Sequence, residues 1–210
     1  TTMFRNYCKI AVRNLLKYKT FSVINIFGLA LGMAVALLIG LWVWDELSYD
    51  KNFQHYEQIA EVWQRRSSSG ETAAFAGVPI PLAAALRQAY PDDFKEVVNV
   101  AMSGCMLSNG DRIFNVNGGA AEAGVPELLA LKMLQGNRAA LKDPSSILLD
   151  GTTAKKLFGD ADPMGQTVKL NNIMTLKVAG VYEDFPVNCS YSNIRYIMPW
   201  DFYVNSWDWI

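Results

Sequence analysis

The sequence predicts an α+β extracytoplasmic domain carried behind a basic amphipathic helix and one transmembrane helix. Three observations predict it. The run Phe21–Trp44 contains no charged residue. All five basic residues of the first twenty positions lie before that run, and all twenty acidic residues of the chain lie after it. The remainder mixes strand-like alternation with short helical patterns. The boundaries read from these patterns are 1–20 for the basic helix, 21–44 for the span and 45–210 for the outer domain.

Within the first element, Phe4, Tyr7, Cys8, Ala11, Leu15 and Tyr18 share a helical face, following the i, i+3, i+4, i+7 spacing. Arg5, Lys9, Arg13 and Lys17 fall on the opposite face, with Lys19 just beyond. A basic amphipathic helix beside a span is expected to lie along the inner face of a lipid bilayer.

The second element is long enough to cross. As a helix, Phe21–Trp44 spans roughly 36 Å against a hydrocarbon core of about 30 Å. Trp42 and Trp44 stand where an interfacial aromatic belt belongs. A cleavable signal sequence fits poorly, because its apolar part is shorter and ends in small residues. Ser22, Asn25, Gly28, Gly32, Ala36 and Gly40 gather on one side, with Gly28 and Gly32 forming a GxxxG pair. Small residues let helix backbones approach in lipid, so this face is expected to pack against another transmembrane helix.

Charge sets the orientation. Five basic residues precede the span, and fourteen basic against twenty acidic follow it, a balance of −6. Basic flanks remain cytoplasmic, so the N-terminus is expected inside and the main domain outside. The overall charge of −1 gives no reason to expect nucleic-acid binding.

The outer part reads as follows. Residues 45–58 continue the helix, offering Leu47, Phe53 and Tyr56 as apolar contacts, with His55 as a surface residue. Residues 59–65 alternate like a strand, and "RRSSSGET" is a loop by its Ser and Gly content. Residues 79–90 form a helix opened by proline and stopped before Pro91. Strands are expected at 97–102, 113–116, 146–149, 167–170 and 174–182, and short helices at 127–131 and 152–158. Trp200, Phe202, Tyr203, Trp207 and Trp209 form either part of a core or an exposed interaction surface. Cys8 falls on the reducing side; Cys105 and Cys189 fall on the oxidising side, and the sequence leaves open whether they pair.

The chain carries little that points to catalysis. A Ser-His-Asp triad would have to use His55, the single histidine, and no nucleophile elbow accompanies it. Zinc-ligand spacing is absent, and no metal or other cofactor is expected. The stretch Gly159-Asp160-Ala161-Asp162-Pro163-Met164-Gly165-Gln166-Thr167 approaches a phosphate loop and misses it. One residue too many separates the glycines, and Gln166 stands where a lysine is required. Gly159 instead reads as a helix terminator, and Pro163 and Gly165 as a turn into the next strand.

Four stretches carry a family resemblance. These are "NLLKYKTFSVINIFGLALGMAVALLIGLWVWDELSYDKNF", "PIPLAAALRQAYPD", "LQGNRAALKDPSSILLDGTTAKKLFGDADPMGQTV" and "KVAGVYEDFP". In this order they resemble the FtsX-like permeases of ABC transporters with a MacB-like periplasmic core domain, most specifically over residues 142–168. The resemblance implies a permease subunit of a bacterial inner membrane and a separate ABC-type ATPase on its cytoplasmic side. It implies a homodimer or paired permease, with a periplasmic or outer-membrane partner in reach. It also implies that Arg5, Lys9, Arg13, Lys17 and Lys19 belong to a coupling helix. Work done by the ATPase would move the periplasmic domain, in efflux or mechanotransmission. That family has at least three further spans, so the sequence reads as the N-terminal part of a longer permease, its outer domain cut short. The competing reading is a single-pass, membrane-anchored sensor or ligand-binding module. An enzyme is not expected.

Overall fold

The computed structural model describes residues 2–68 and 70–206. The chain divides into two compact units between Tyr49 and Asp50.

The first unit is helical. Helix α1 (Thr2–Lys17) is followed by a non-helical backbone at Tyr18, and α2 (Lys19–Ser48) begins at the next residue. The basic helix is therefore shorter than the expected 1–20, and Lys19 opens α2. Thirty residues make α2 about 45 Å long. None of its residues is buried, and it is the one helix among the described residues long and apolar enough to cross a membrane. A helix apolar around most of its circumference and unburied along its length finds its complement in hydrocarbon rather than in water.

The helix does not run on to residue 58 as expected. Its last turn holds Asp45 and Glu46 and no basic residue, the wrong charge for a helix C-terminus. Asp50 (φ 58°) and His55 (φ 62°) then take left-handed backbone conformations, which no continuous helix accommodates. What remains of the expected continuation is a 3-10 turn at Tyr56–Gln58, with His55 exposed beside it.

The second unit opens with a two-stranded hairpin, β1 (Gln64–Ser68) and β2 (Glu71–Phe75). Most of the stretch read as a loop is thus strand, and residues 59–63, read as strand, are not. Helix α3 (Leu82–Ala89) is introduced by Pro81 and ends before Pro91. Strands β3 (Val100–Asn109) and β4 (Arg112–Ala121) are far longer than the expected 97–102 and 113–116. They pair over ten residues through a two-residue turn in which Gly110 has φ 58°. Then come α4 (Val125–Leu128), β5 (Met133–Gly136), a 3-10 turn (Arg138–Lys142), β6 (Ser146–Asp150) and α5 (Gly151–Phe158). The chain continues through β7 (Thr167–Leu170), β8 (Met174–Tyr182), β9 (Tyr196–Pro199) and α6 (Trp200–Ser206). The fold is α+β.

Strand order in the large sheet is β5-β8-β6-β9-β4-β3-β7, and β7 pairs also with β8. The first half of β8 meets β7, and its second half meets β5 and β6. Six strands therefore close into a ring, with β5 laid on at one side, which leaves few exposed backbone edges. Strands β6 and β8 run parallel, as do β4 and β9.

Two hydrophobic clusters flank the central strands. Ile147 and Leu149 of β6, Val178 and Val181 of β8, and Tyr196 and Met198 of β9 enter one, with α5 and α6. Leu148, Tyr182 and Ile197 from the same strands enter the other, with α4. In β6 and β9 this is the two-residue period of a strand with both faces covered, and in β8 the register shift opposite Ile147 and Leu148 brings Val178 and Val181 to the same side. Gly118 and Gly119 allow β4 to pass close to Tyr196 and to the Ala101 carbonyl, where any Cβ would collide. Trp200, Phe202 and Tyr203 belong to the core, Trp200 lying 5.6 Å from Tyr203 between ring centres. Trp207 and Trp209 lie outside the described residues. Cys105 and Cys189 are both buried and both free thiols. Burial raises the pKa of each, which keeps the proton on sulfur.

Candidate functional site

The most distinctive stretch of the sequence, residues 142–168, forms the middle of the domain. It starts at Asp143, whose carboxylate accepts from the backbone N–H (2.9 Å) and hydroxyl (2.7 Å) of Ser145. Strand β6 follows, buried at every position. At its end Asp150, with no exposed surface, caps α5 by accepting from the Thr153 N–H at 2.9 Å. The same carboxylate accepts from Arg195 Nη1 at 2.8 Å, a pair that neutralises its buried charge.

Around this pair the polar groups converge. Asp184 accepts from the backbone N–H (3.0 Å) and the hydroxyl of Thr152 and lies 3.9 Å from Arg195. Burial pushes the Asp184 carboxyl up, but the Thr152 hydroxyl and N–H and the Arg195 charge outweigh it and hold the pKa below its ordinary value. The buried Tyr182 hydroxyl donates to the Ile194 carbonyl at 3.1 Å, and its pKa is raised well above the ordinary value, first by burial. Segment 183–195, which links β8 to β9, is thus fastened at both ends to the junction of β6 and α5.

The middle of that segment holds the chain where the second unit begins. Asp50 accepts from the Ser190 N–H at 2.7 Å and the Ser190 hydroxyl at 2.6 Å. The Asp50 N–H donates to the Asn188 carbonyl at 3.1 Å, and the Asn52 amide donates to Asn188 Oδ1 at 3.0 Å. Phe53 packs against Phe185 and Tyr191 with ring centres 5.9 and 5.6 Å away. Neither this clasp nor the Arg195 pair was read from the sequence. The sequence reading placed a short helix at 152–158 but named neither its Asp150 cap nor the partner 45 residues on.

The near-miss phosphate loop takes a structural form. Gly159, at φ 67°, ends α5, its N–H donating to the Lys155 carbonyl. The Arg112 guanidinium sits beside it and donates to the Leu157 carbonyl at 3.3 Å. Asp160 is exposed, and Asp162 accepts from the Met164 N–H at 3.0 Å. The Pro163 carbonyl accepts from the Gln166 N–H, and Gly165, at φ 76°, donates to the Val178 carbonyl at 2.8 Å. These backbone groups are occupied by the turn itself. Among the described residues no three metal-ligating side chains come together.

In the helical unit, Arg5, Lys9, Arg13 and Lys17 lie exposed along α1, and Lys19 is exposed at the start of α2. Asn25, Gly28, Gly32, Ala36 and Gly40 are exposed along α2, and nothing lies within 4 Å of a Cβ built at any of the three glycines.

Comparison with known proteins fits this architecture. The MacB-like periplasmic core domain family matches residues 22–209, from inside α2 to beyond α6. The chain belongs to that family. Comparison with curated proteins gives no match. Among solved structures, the chain is similar to a domain of a protein assigned as a permease from Porphyromonas gingivalis. Identity is 21% and the TM-score 0.53, covering 61% of this chain and 55% of that one. The periplasmic region of MacB from Actinobacillus actinomycetemcomitans gives 21% identity and a TM-score of 0.50, covering 61% and 58%. The match thus spans little more than half the length of either relative, and likeness at this identity speaks for the fold.

Proposed function

We propose that this chain is part of the permease of an ABC transporter, without catalytic activity of its own. It is anchored by α2 in a bacterial inner membrane, with α1 on the cytoplasmic side and the sheet domain in the periplasm. A separate ATPase docks near α1 and moves the transmembrane helices, and these displace the outer domain. Two permease copies, or a permease pair, meet through the Gly28–Gly32–Gly40 face, and a periplasmic or outer-membrane partner receives the motion.

One observation carries this reading. The family match begins inside the unburied apolar helix and runs on through the whole sheet, so helix and domain belong to one evolutionary unit. The charge asymmetry around α2 supports the orientation. The test is ATP hydrolysis by the reconstituted full-length permease with and without its ATPase. Hydrolysis is expected only with the partner. Changing Arg5, Lys9, Arg13 and Lys17 to Glu is expected to unseat α1, at about 1 kcal/mol per basic residue near an anionic surface, and to lower coupled activity. Robust hydrolysis by this chain alone would overturn the proposal. So would labelling of a single cysteine at Asn14, in place of Thr72, from outside intact cells.

A further inference from the structure

We infer that Asp50 is the attachment through which displacement enters the sheet domain, and that the load passes by segment 183–195 straight to the β6–α5 junction. This inference rests on the transmission reading proposed above and names the residues that carry it.

The geometry poses a mechanical problem and answers it. Asp50 is the first residue of the second unit, and the chain beyond it traverses a 3-10 turn, a two-stranded hairpin and α3 before reaching the ring of strands at Val100. The hairpin is exposed at almost every described position. An isolated hairpin is at best marginally stable in water, so a pull travelling along the backbone would be absorbed there. The clasp bypasses it. Both Asp50 carboxylate oxygens are engaged by Ser190, and its N–H is engaged by Asn188. The left-handed backbone of Asp50, unusual for any residue but glycine, is the conformation in which the chain offers these groups together. Charge-assisted bonds of 2.6 and 2.7 Å are the short, strong kind.

From Ser190 the path is short. Phe53, Phe185 and Tyr191 interlock beside the clasp. Asp184 on one side of the segment grips Thr152, and Arg195 on the other grips Asp150. Both grips close on the start of α5 and the end of β6, the strand shared by the two cores. Asp50 acts through Ser190 and is a positioning residue.

The experiment measures hydrogen exchange in the full-length permease reconstituted with its ATPase, nucleotide-free and trapped with ATP and vanadate. The wild-type complex is expected to change exchange at residues 146–158 and 183–195 on trapping. Asp50→Ala is expected to lose that nucleotide-dependent change while ATP still binds. Because Asp50→Ala also removes native contacts, a second variant isolates the link. In a Cys189→Ala background, Asp50→Cys with Ser190→Cys replaces the carboxylate clasp by a covalent bond. Its oxidised form is expected to regain the nucleotide response and its reduced form to lack it. A full response in Asp50→Ala, or no recovery in the oxidised double-cysteine protein, overturns the attachment while leaving the transmission reading intact. A wild-type complex with no nucleotide response at either segment overturns both.

Discussion

Asp150→Ala is the most informative single change in the domain. The carboxylate is fully buried and performs two tasks, capping α5 through the Thr153 N–H and pairing with Arg195 at 2.8 Å. Loss of a helix cap costs about 1 kcal/mol. Breaking a buried ion pair costs about 3–5 kcal/mol when the surviving charge is stranded. Here it is not stranded, because the Arg195 side chain is 32% exposed and Asp184 lies 3.9 Å away. That discounts the pair to about 2 kcal/mol and gives a total of about 3 kcal/mol. For a domain of this size such a loss lowers Tm by about 6–12 °C. Asp150→Asn keeps the shape and the capping oxygen but turns Oδ2 into an N–H donor facing the Arg195 donor, so it loses the pair and keeps the cap, and should cost about 2 kcal/mol. The assay is thermal unfolding of the chain in micelles, followed by near-ultraviolet circular dichroism. A shift under 2 °C for Asp150→Ala, or equal shifts for the two variants, would refute the assignment of two separable roles.

Two further outcomes are expected. Gly32→Leu should weaken self-association of the span in a bilayer association assay more than Ala34→Leu, which lies off the small-residue face; equal effects would remove the case for close helix packing. The Asp184 carboxyl has a folded-state pKa below its ordinary value, so its contribution to stability is present above the unfolded-state value and is lost as pH falls through the folded one. Asp184→Asn should therefore flatten the fall of stability with acidification below about pH 4, read from urea midpoints across pH.

Much of the sheet was legible because its strands obey the two-residue period. Thr167–Leu170 and Met174–Tyr182 were read with the bounds that the structure has, since apolar and polar residues alternate in both. β1 and β2 escaped because "QRRSS" and "ETAAF" carry no such alternation, their faces being exposed. β9 is a short unbroken apolar run ending in proline, a pattern that periodicity does not assign. The short helix at residue 127 was misplaced by two residues, because Pro126 belongs to its first turn. Of the candidate site, individual residues could be read but not their meetings. Asp50 finds Ser190 140 positions away, and Asp150 finds Arg195 45 away. Distances of that kind follow from the pairing of β6, β8 and β9, which no local pattern encodes.

The strand that divides its side chains between two cores also sets how the domain comes apart. Leu148 cannot leave the α4 side without Ile147 and Leu149 leaving the α5 side, since one backbone carries all three. Melting on either face therefore strips the other, and the two clusters behave as a single cooperative unit. Amides of β6 and its neighbours should then exchange only through global opening, with one shared free energy. A domain built this way is loosened or tightened as a whole, so a load delivered at the end of β6 shifts the opening free energy of both cores together.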